Sequence, residues 1–408
     1  MSKVKKPVIL DDTGKEIVDV LHRQNLLLDV LANAAIESAS SLKEIHNIVR
    51  SGNAAKVFNI GDQIIVPWTD KAANRTYQVP LDVVAFGNVD VMHASSIPAM
   101  FLQWHYCTPF GVQFDAKEAM YAVPAEGLAI GTYHFNVPTA WSKILVGDYQ
   151  FTTTQAHTEG QQFVLRSAYV DIEGGLTNGY IDVYANGQST EVIASYKITT
   201  GNAGTDLGAF KAAGDTNLWS MQCANYGYNR WSKSGIRQWL NSAAGIDAWW
   251  TQQGVYDRAP SELKTKHGFM SGFEDDFLEI LQPIKVTTAL NTVTDTGIEE
   301  DNLEDTFDTF FLPALVNENI NPQLAGEGST FDYWKKVSQS STPLAQYGTY
   351  PQMRTYGIDN INTPQNVRLR SAIRGNAHHT WLVTSSGYVS NGYGATYSHR
   401  CAPVCAVC

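Results

Sequence analysis

Long apolar runs are missing from this 408-residue chain. No window approaches the roughly 18–20 apolar residues that span a bilayer, so membrane insertion is not expected. Cationic residues are scarce: Lys and Arg number 29 against 40 Asp and Glu, a formal net charge of −11. A nucleic-acid partner, whose phosphates demand Lys and Arg, is therefore not expected. The one basic cluster, Lys3, Lys5 and Lys6, reads as a solvated tail. No apolar stretch follows it, so no signal peptide is expected and synthesis in a reducing cytosol is. Five cysteines are too few for a disulfide framework at this length. Cys107 and Cys223 stand among apolar or aromatic neighbours and read as buried thiols. Cys401, Cys405 and Cys408 lack a second pair to complete four zinc ligands, and read as small apolar residues of a terminal strand.

Catalytic signatures are missing too. There is no G-x-S-x-G, Walker A loop, H-E-x-x-H or strand-linked G-x-G-x-x-G. His378 and His379 are adjacent, and neighbouring strand side chains point to opposite faces, which disfavours a shared metal. Glu299, Glu300, Asp301, Glu304, Asp305 and Asp308 lack the order of a calcium loop. The expectation is a non-enzymatic protein with no cofactor and no metal.

One absence is local. After Asn366 the chain uses no Lys, Glu, Gln, Met or Asp, although the rest uses them freely. What remains is Tyr, Trp, His, Ser, Asn and Gly around a few apolar anchors. Binding loops have this composition, because rigid aromatics give contact area at low entropic cost and small polar residues adapt their hydrogen bonds. A Gly-rich β-meander also avoids Lys and Glu, so composition leaves both readings open.

Apolar residues make up 44% and aromatics 11%, which fits an ordered globular chain of about two to three domains. Between Lys15 and Arg50, apolar or small residues recur at Ile17, Leu21, Leu28, Leu31, Ala35, Leu42, Ile45 and Val49. Gln24 and Ser38 fill the gaps. The steps alternate four and three, the heptad of a coiled coil, and a polar seam residue such as Gln24 fixes register. A helix docked on its own domain needs a similar stripe. Residues 1–55 are expected to form a helical oligomerisation stalk. From Lys56 to about Phe210, short apolar or alternating runs separated by Gly- and Asn-rich turns predict an antiparallel β-sandwich or jelly roll over 56–215. Residues 216–408 mix a Ser-capped helix at Ser234, a short acidic-capped helix ended by Pro283, and strands. The stretch Thr294–Asp305 is expected to be a loop. The fold class is α+β and β-rich.

The third region carries landmarks in a fixed order: Trp231-Ser232, Ser234, Ile236-Arg237, Trp239-Leu240-Asn241, Leu369-Arg370-Ser371, Thr380-Trp381-Leu382-Val383 with Gly387, and Arg400-Cys401-Ala402-Pro403. This order resembles the C-type-lectin-like domain of bacterial and phage surface proteins. It is similar to the variable receptor-binding proteins that diversity-generating retroelements mutate. The segments KVFNIGDQIIVPW and AMYAVPAEGLAIGTYHF resemble virion proteins of phages and prophages. The resemblance implies that the final strands carry a recognition surface. Its ligand-binding positions would be Arg374, Asn376, His378, His379, Tyr388, Asn391, Tyr393, Tyr397, Ser398 and His399, alternating around Leu382, Val383 and Val389. It also implies a virion protein of a tail fibre, baseplate or head fibre, a homo-oligomer and most simply a trimer. Other virion proteins would hold its N-terminus, and a host cell-surface protein or glycan would be its ligand. A capsid decoration protein without a receptor role, or a glycan-active surface enzyme, are the alternatives.

Overall fold

The computed structural model describes residues 42–138, 145–166, 169–170, 176–177, 179–187, 191–210, 229–291, 293–294, 297–298, 302–335, 354–374 and 379–408. Strand far outweighs helix across several sheets, a β-rich α+β fold. Among the described residues no helix is long and apolar enough to cross a membrane.

Helix α1 (Leu42–Arg50) buries Leu42, Ile45 and Val49 on one stripe. These three members of the heptad series pack into the core of their own chain, beside Val84, Met100 and the C-terminal strand residues. His46 Nε2 donates to the Cys408 carbonyl at 2.7 Å, tying the helix to the end of the chain. Ile17, Leu21, Gln24, Leu28, Leu31 and Ala35 lie outside the described residues.

Strands β1 (Gln63–Asp70), β2 (Arg75–Val91) and β3 (Ala94–Trp104) follow as consecutive hairpins. The first turn is set by Asp70, whose carboxylate accepts from Ala72 N and Ala73 N, and by Asn74 in the left-handed region at φ +50°. The chain then crosses into a separate unit. There β4 (Thr132–Val137), β5 (Gly147–Thr152), β6 (Gln162–Arg166), β7 (Tyr180–Tyr184), β8 (Val192–Lys197) and β9 (Thr205–Ala209) form two four-stranded sheets. One is ordered β8-β7-β6-Tyr121–Ala122, the other Thr199–Thr200-β5-β4-β9. Strict alternation in β4, buried at Tyr133, Phe135 and Val137, sends every second side chain into a core shared with Tyr149, Phe151, Phe163, Ile181 and Val183.

The chain returns to the first body through helix α2 (Gly235–Leu240), helix α3 (Asp275–Glu279), and strands β10 (Ile284–Ala289), β11 (Leu303–Asp308) and β12 (Phe310–Phe311). It ends in β13 (Val367–Ala372), β14 (His379–Val383), β15 (Val389–Gly394) and β16 (Val404–Val407). Strands from both ends of the chain make one sheet, ordered β11-β10-β2-β3-β16-β12, with β1 on the remaining length of β2. Leu102 on β3 faces Cys405 on β16 across the ladder. The strand run expected over 56–215 thus divides between two cores: residues 63–114 share theirs with 231–408, and 120–210 have their own. Trp68, Trp104, Trp239, Phe269, Phe273 and Phe310 fill the centre of the larger core, with ring centroids 5.1–6.4 Å apart in offset and edge-to-face pairs. The expected loop over Thr294–Asp305 differs as well. Two short strands, Val293–Thr294 and Gly297–Ile298, pair with each other, and β11 begins already at Leu303.

Candidate functional site

The landmark residues prove to be the frame of the C-terminal region. Ser234 caps α2, its hydroxyl oxygen accepting from Arg237 N at 3.3 Å, while Ile236, Trp239 and Leu240 fill the core. The fully buried Asp308 carboxylate accepts from Trp231 Nε1 at 2.9 Å, Arg237 Nε at 2.6 Å and Thr306 Oγ1 at 2.6 Å. Asn241 completes the lock: its side chain accepts from Thr309 N and Phe310 N and donates to the Phe310 carbonyl. Arg237 on α2 and Asn241 at its end therefore grip the segment that runs from β11 into β12. This explains why β11 buries Thr306 and Asp308 while Phe307 faces out.

Two buried arginines support the last strands from below. Arg370 spends five hydrogen bonds on Thr288 Oγ1, Leu312 O, Asn317 Oδ1, Thr287 O and Glu327 O. Ser371 beside it bridges Glu327 and Leu315 N. Arg368 donates to Thr380 Oγ1, to Gly394 O at 3.2 Å and to Tyr397 O at 2.8 Å, which pins the turn that carries Tyr397. Burial drives Arg368 down to about 9 and Arg370 to about 10, so both remain cationic at neutral pH. Gly387, at φ +83°, closes the β14–β15 turn in a conformation that suits glycine. Arg400 donates to Asp359 and to Thr108 O, and Cys401 and Pro403 continue the ladder onto Thr108 and Trp104.

Five of the ten expected ligand-binding positions, Tyr388, Tyr393, Tyr397, Ser398 and His399, are exposed or half-buried on the outside of this frame. Tyr388 and Tyr397 are 49% and 59% exposed. Tyr393 is half-buried, its ring edge-on to His399 with centroids 5.2 Å apart. Ser398 is exposed and donates its hydroxyl to Glu262. His399 is half-buried; burial and then the Arg368 guanidinium push it down to about 4, so its ring is neutral at pH 7. His379 is lowered for the same two reasons. Arg374 is anchored inward, donating to Leu290 O at 2.6 Å. Asn376, His378 and the side chain of Asn391 lie outside the described residues. Leu382 and Val383 are both buried and Val389 packs against Val383; because Leu382 and Val383 are adjacent, both faces of the strand are covered there, which departs from the expected single buried face.

A pocket of about 390 Å³ opens beside this face, lined by Gln365, Asn366, Ser385, Ser398, His399 and Arg400. Gly111 forms one wall where the chain crosses Ser398: a Cβ there would sit 2.9 Å from the Ser398 carbonyl carbon, so only glycine allows the two backbones this close. Ser398 and His399 were legible in the sequence. Gln365, Asn366 and Ser385 were not, because they sit at strand ends and turns whose neighbours only the fold defines. The lining offers hydroxyl, amide, imidazole and guanidinium groups, and no carboxylate.

A second group escaped sequence reasoning. Asp115, Glu118 and Asp257, all buried, bring carboxylate oxygens within 4.8 Å of one another where the chain passes between the two cores. Burial, then Asp257 and Glu118, raise Asp115 well above the usual carboxylate range, and burial raises Asp257 to about 6. Among the described residues, this trio has the spacing and oxygen donors that suit a hard cation. The acidic stretch behaves differently: Glu304 binds Arg230 and Ser232, and Asp305 binds Lys285 and Thr287. Glu299, Glu300 and Asp301 lie outside the described residues. Cys107, Cys401, Cys405 and Cys408 are free, buried thiols raised by burial, to about 12 at Cys107, Cys401 and Cys408.

Residues 214–407 match a protein family described as a domain of unknown function, DUF6273. The match spans the region that carries the landmarks, from just before Trp231 through β16. No curated protein matches this chain, and no solved structure does.

Proposed function

We propose that the protein is a non-enzymatic virion component that binds the host surface through its C-terminal face. In this reading residues 216–408 are a C-type-lectin-like domain, the two four-stranded sheets are a β-sandwich spacer, and the heptad-spaced segment before Leu42 is a coiled-coil stalk joining three copies. Several weak tips on one stalk gain avidity without any new contact. One observation carries the proposal. The last strands are fixed from within by Arg368 and Arg370, while Tyr388 and Tyr397 stand exposed on the stretch between Arg374 and Arg400, which has no Lys, Arg, Asp or Glu. A rigid frame under exposed tyrosines is the arrangement that binding loops use.

Replacing Tyr393 and Tyr397 with Ala is expected to abolish binding of the full chain to host cells while its far-UV spectrum and melting are retained. Unchanged cell binding would refute the assignment. The capsid-decoration alternative turns the same tyrosines toward a neighbouring subunit, and imaging the C-terminal face in an intact particle separates the two.

A further inference from the structure

We infer that the pocket beside Ser398 and His399 is a subsite for an uncharged, hydroxyl-rich ligand, one unit of a neutral saccharide. The inference rests on the host-binding reading for its biological setting, and on the lining for its chemistry.

Charge is the first discriminator. The one formal charge in the lining is the Arg400 guanidinium, and Asp359 already takes it as an ion pair while Thr108 O accepts a further bond. Arg368 below is buried and spends its terminal nitrogens on Thr380, Gly394 and Tyr397. His399 is neutral at pH 7. An anionic ligand finds no unpaired cation here, and a cationic one finds no carboxylate in the lining.

Hydrogen-bonding capacity is the second. Among the described residues, Asn366 uses its side-chain oxygen on Ser385 N and leaves its amide NH₂ unengaged. Gln365 donates weakly to Thr363 O at 3.3 Å and leaves its carbonyl oxygen open. The Ser385 hydroxyl has no partner, and His399 Nε2 is buried without one. The lining thus presents both donors and acceptors. Sugar hydroxyls, each both donor and acceptor, complement such a mixed set, and a bond to the buried His399 Nε2 would satisfy the one lining atom that is buried without a partner. The volume of about 390 Å³ falls in the range of small-ligand sites.

The test is saturation-transfer NMR on the full chain with glucose, galactose, rhamnose and N-acetylglucosamine, and with glycerol phosphate and choline as charged controls. At least one neutral sugar should show transfer, and the charged probes none. The double variant Ser385→Ala/Gln365→Ala removes the open Ser385 hydroxyl and the open Gln365 carbonyl oxygen, together with one weak local bond to Thr363 O, without touching the frame, and should weaken that sugar by about 2- to 10-fold per lost contact. Silence from all four sugars overturns the inference, as does transfer only from a charged probe, or transfer that the double variant leaves unchanged. Host-cell binding is measured in parallel. Cells bound without any sugar signal overturn the subsite and leave the proposed function standing; a sugar signal that the double variant weakens, without cell binding, supports the subsite and removes the proposed function.

Discussion

Asp308 is the position whose loss should cost most for its size. It is fully buried and accepts three hydrogen bonds, from Trp231, Arg237 and Thr306. Asp308→Ala strips Trp231 of its acceptor and leaves Thr306 only its longer bond to the Val286 carbonyl, at about 1 kcal/mol each, and breaks one charge-assisted bond of about 1.5–3 kcal/mol. The side chain of Arg237 is only 24% exposed, so water recovers part of its solvation and no more. The total, about 3–5 kcal/mol, agrees with the usual cost of removing one partner of a buried pair. Of the ten tryptophans only Trp141 falls within residues 120–210, so tryptophan fluorescence during urea unfolding is weighted toward the body that Asp308 stabilises. The midpoint should fall with little change in slope. Asp308→Ala/Arg237→Ala should cost less than the two single variants summed, by about 0.5–3 kcal/mol, because the pair is broken only once. A single-variant cost below about 1 kcal/mol, or strict additivity, would refute the role of Asp308 as the hub that joins α2 to β11.

Two further predictions follow from buried groups. The folded protein holds Asp257 at about 6, above the unfolded carboxylate, so it keeps an extra proton when folded. The stability this contributes is full below the unfolded value and is lost as pH rises through about 6, on the order of 1–3 kcal/mol. Asp257→Asn should flatten that loss, and denaturation midpoints from pH 4.5 to 7.5 check it; an unchanged slope would show that the cluster does not titrate in this window. Cys107, Cys401, Cys405 and Cys408 should resist Ellman's reagent in the native chain at pH 8 and react only in denaturant; Cys223 lies outside the described residues.

The residues alone determined what depends on near neighbours. Alternation drew the strands of the 120–210 unit close to their observed bounds, because a half-buried strand needs every second side chain apolar. Ser234 announced α2 through its cap, which acts within a few residues; the helix expected to run to Pro283 stops already at Glu279, and Pro283 directly precedes β10. The sequence placed Tyr388 and Tyr397 on an exposed face, and both are exposed, but Leu382 and Val383 are adjacent and both buried, so the strand that carries them is covered on its two faces. Tertiary structure decided the rest. Leu42, Ile45 and Val49 form a stripe that a second copy or the chain's own core satisfies equally well, and only the packed sheet shows which apolar surface they meet. The pairing of Leu102 with Cys405 joins residues 303 positions apart, a choice made by burying both strands together and invisible to any local period. Arg368 and Arg370 look like surface residues until carbonyls from distant loops converge to satisfy them, for a buried cation is stable only where the whole fold supplies its partners. The Asp115–Glu118–Asp257 trio and the pocket at Gln365, Asn366 and Ser385 share that origin: their atoms are brought together by chain crossings that no sequence spacing records.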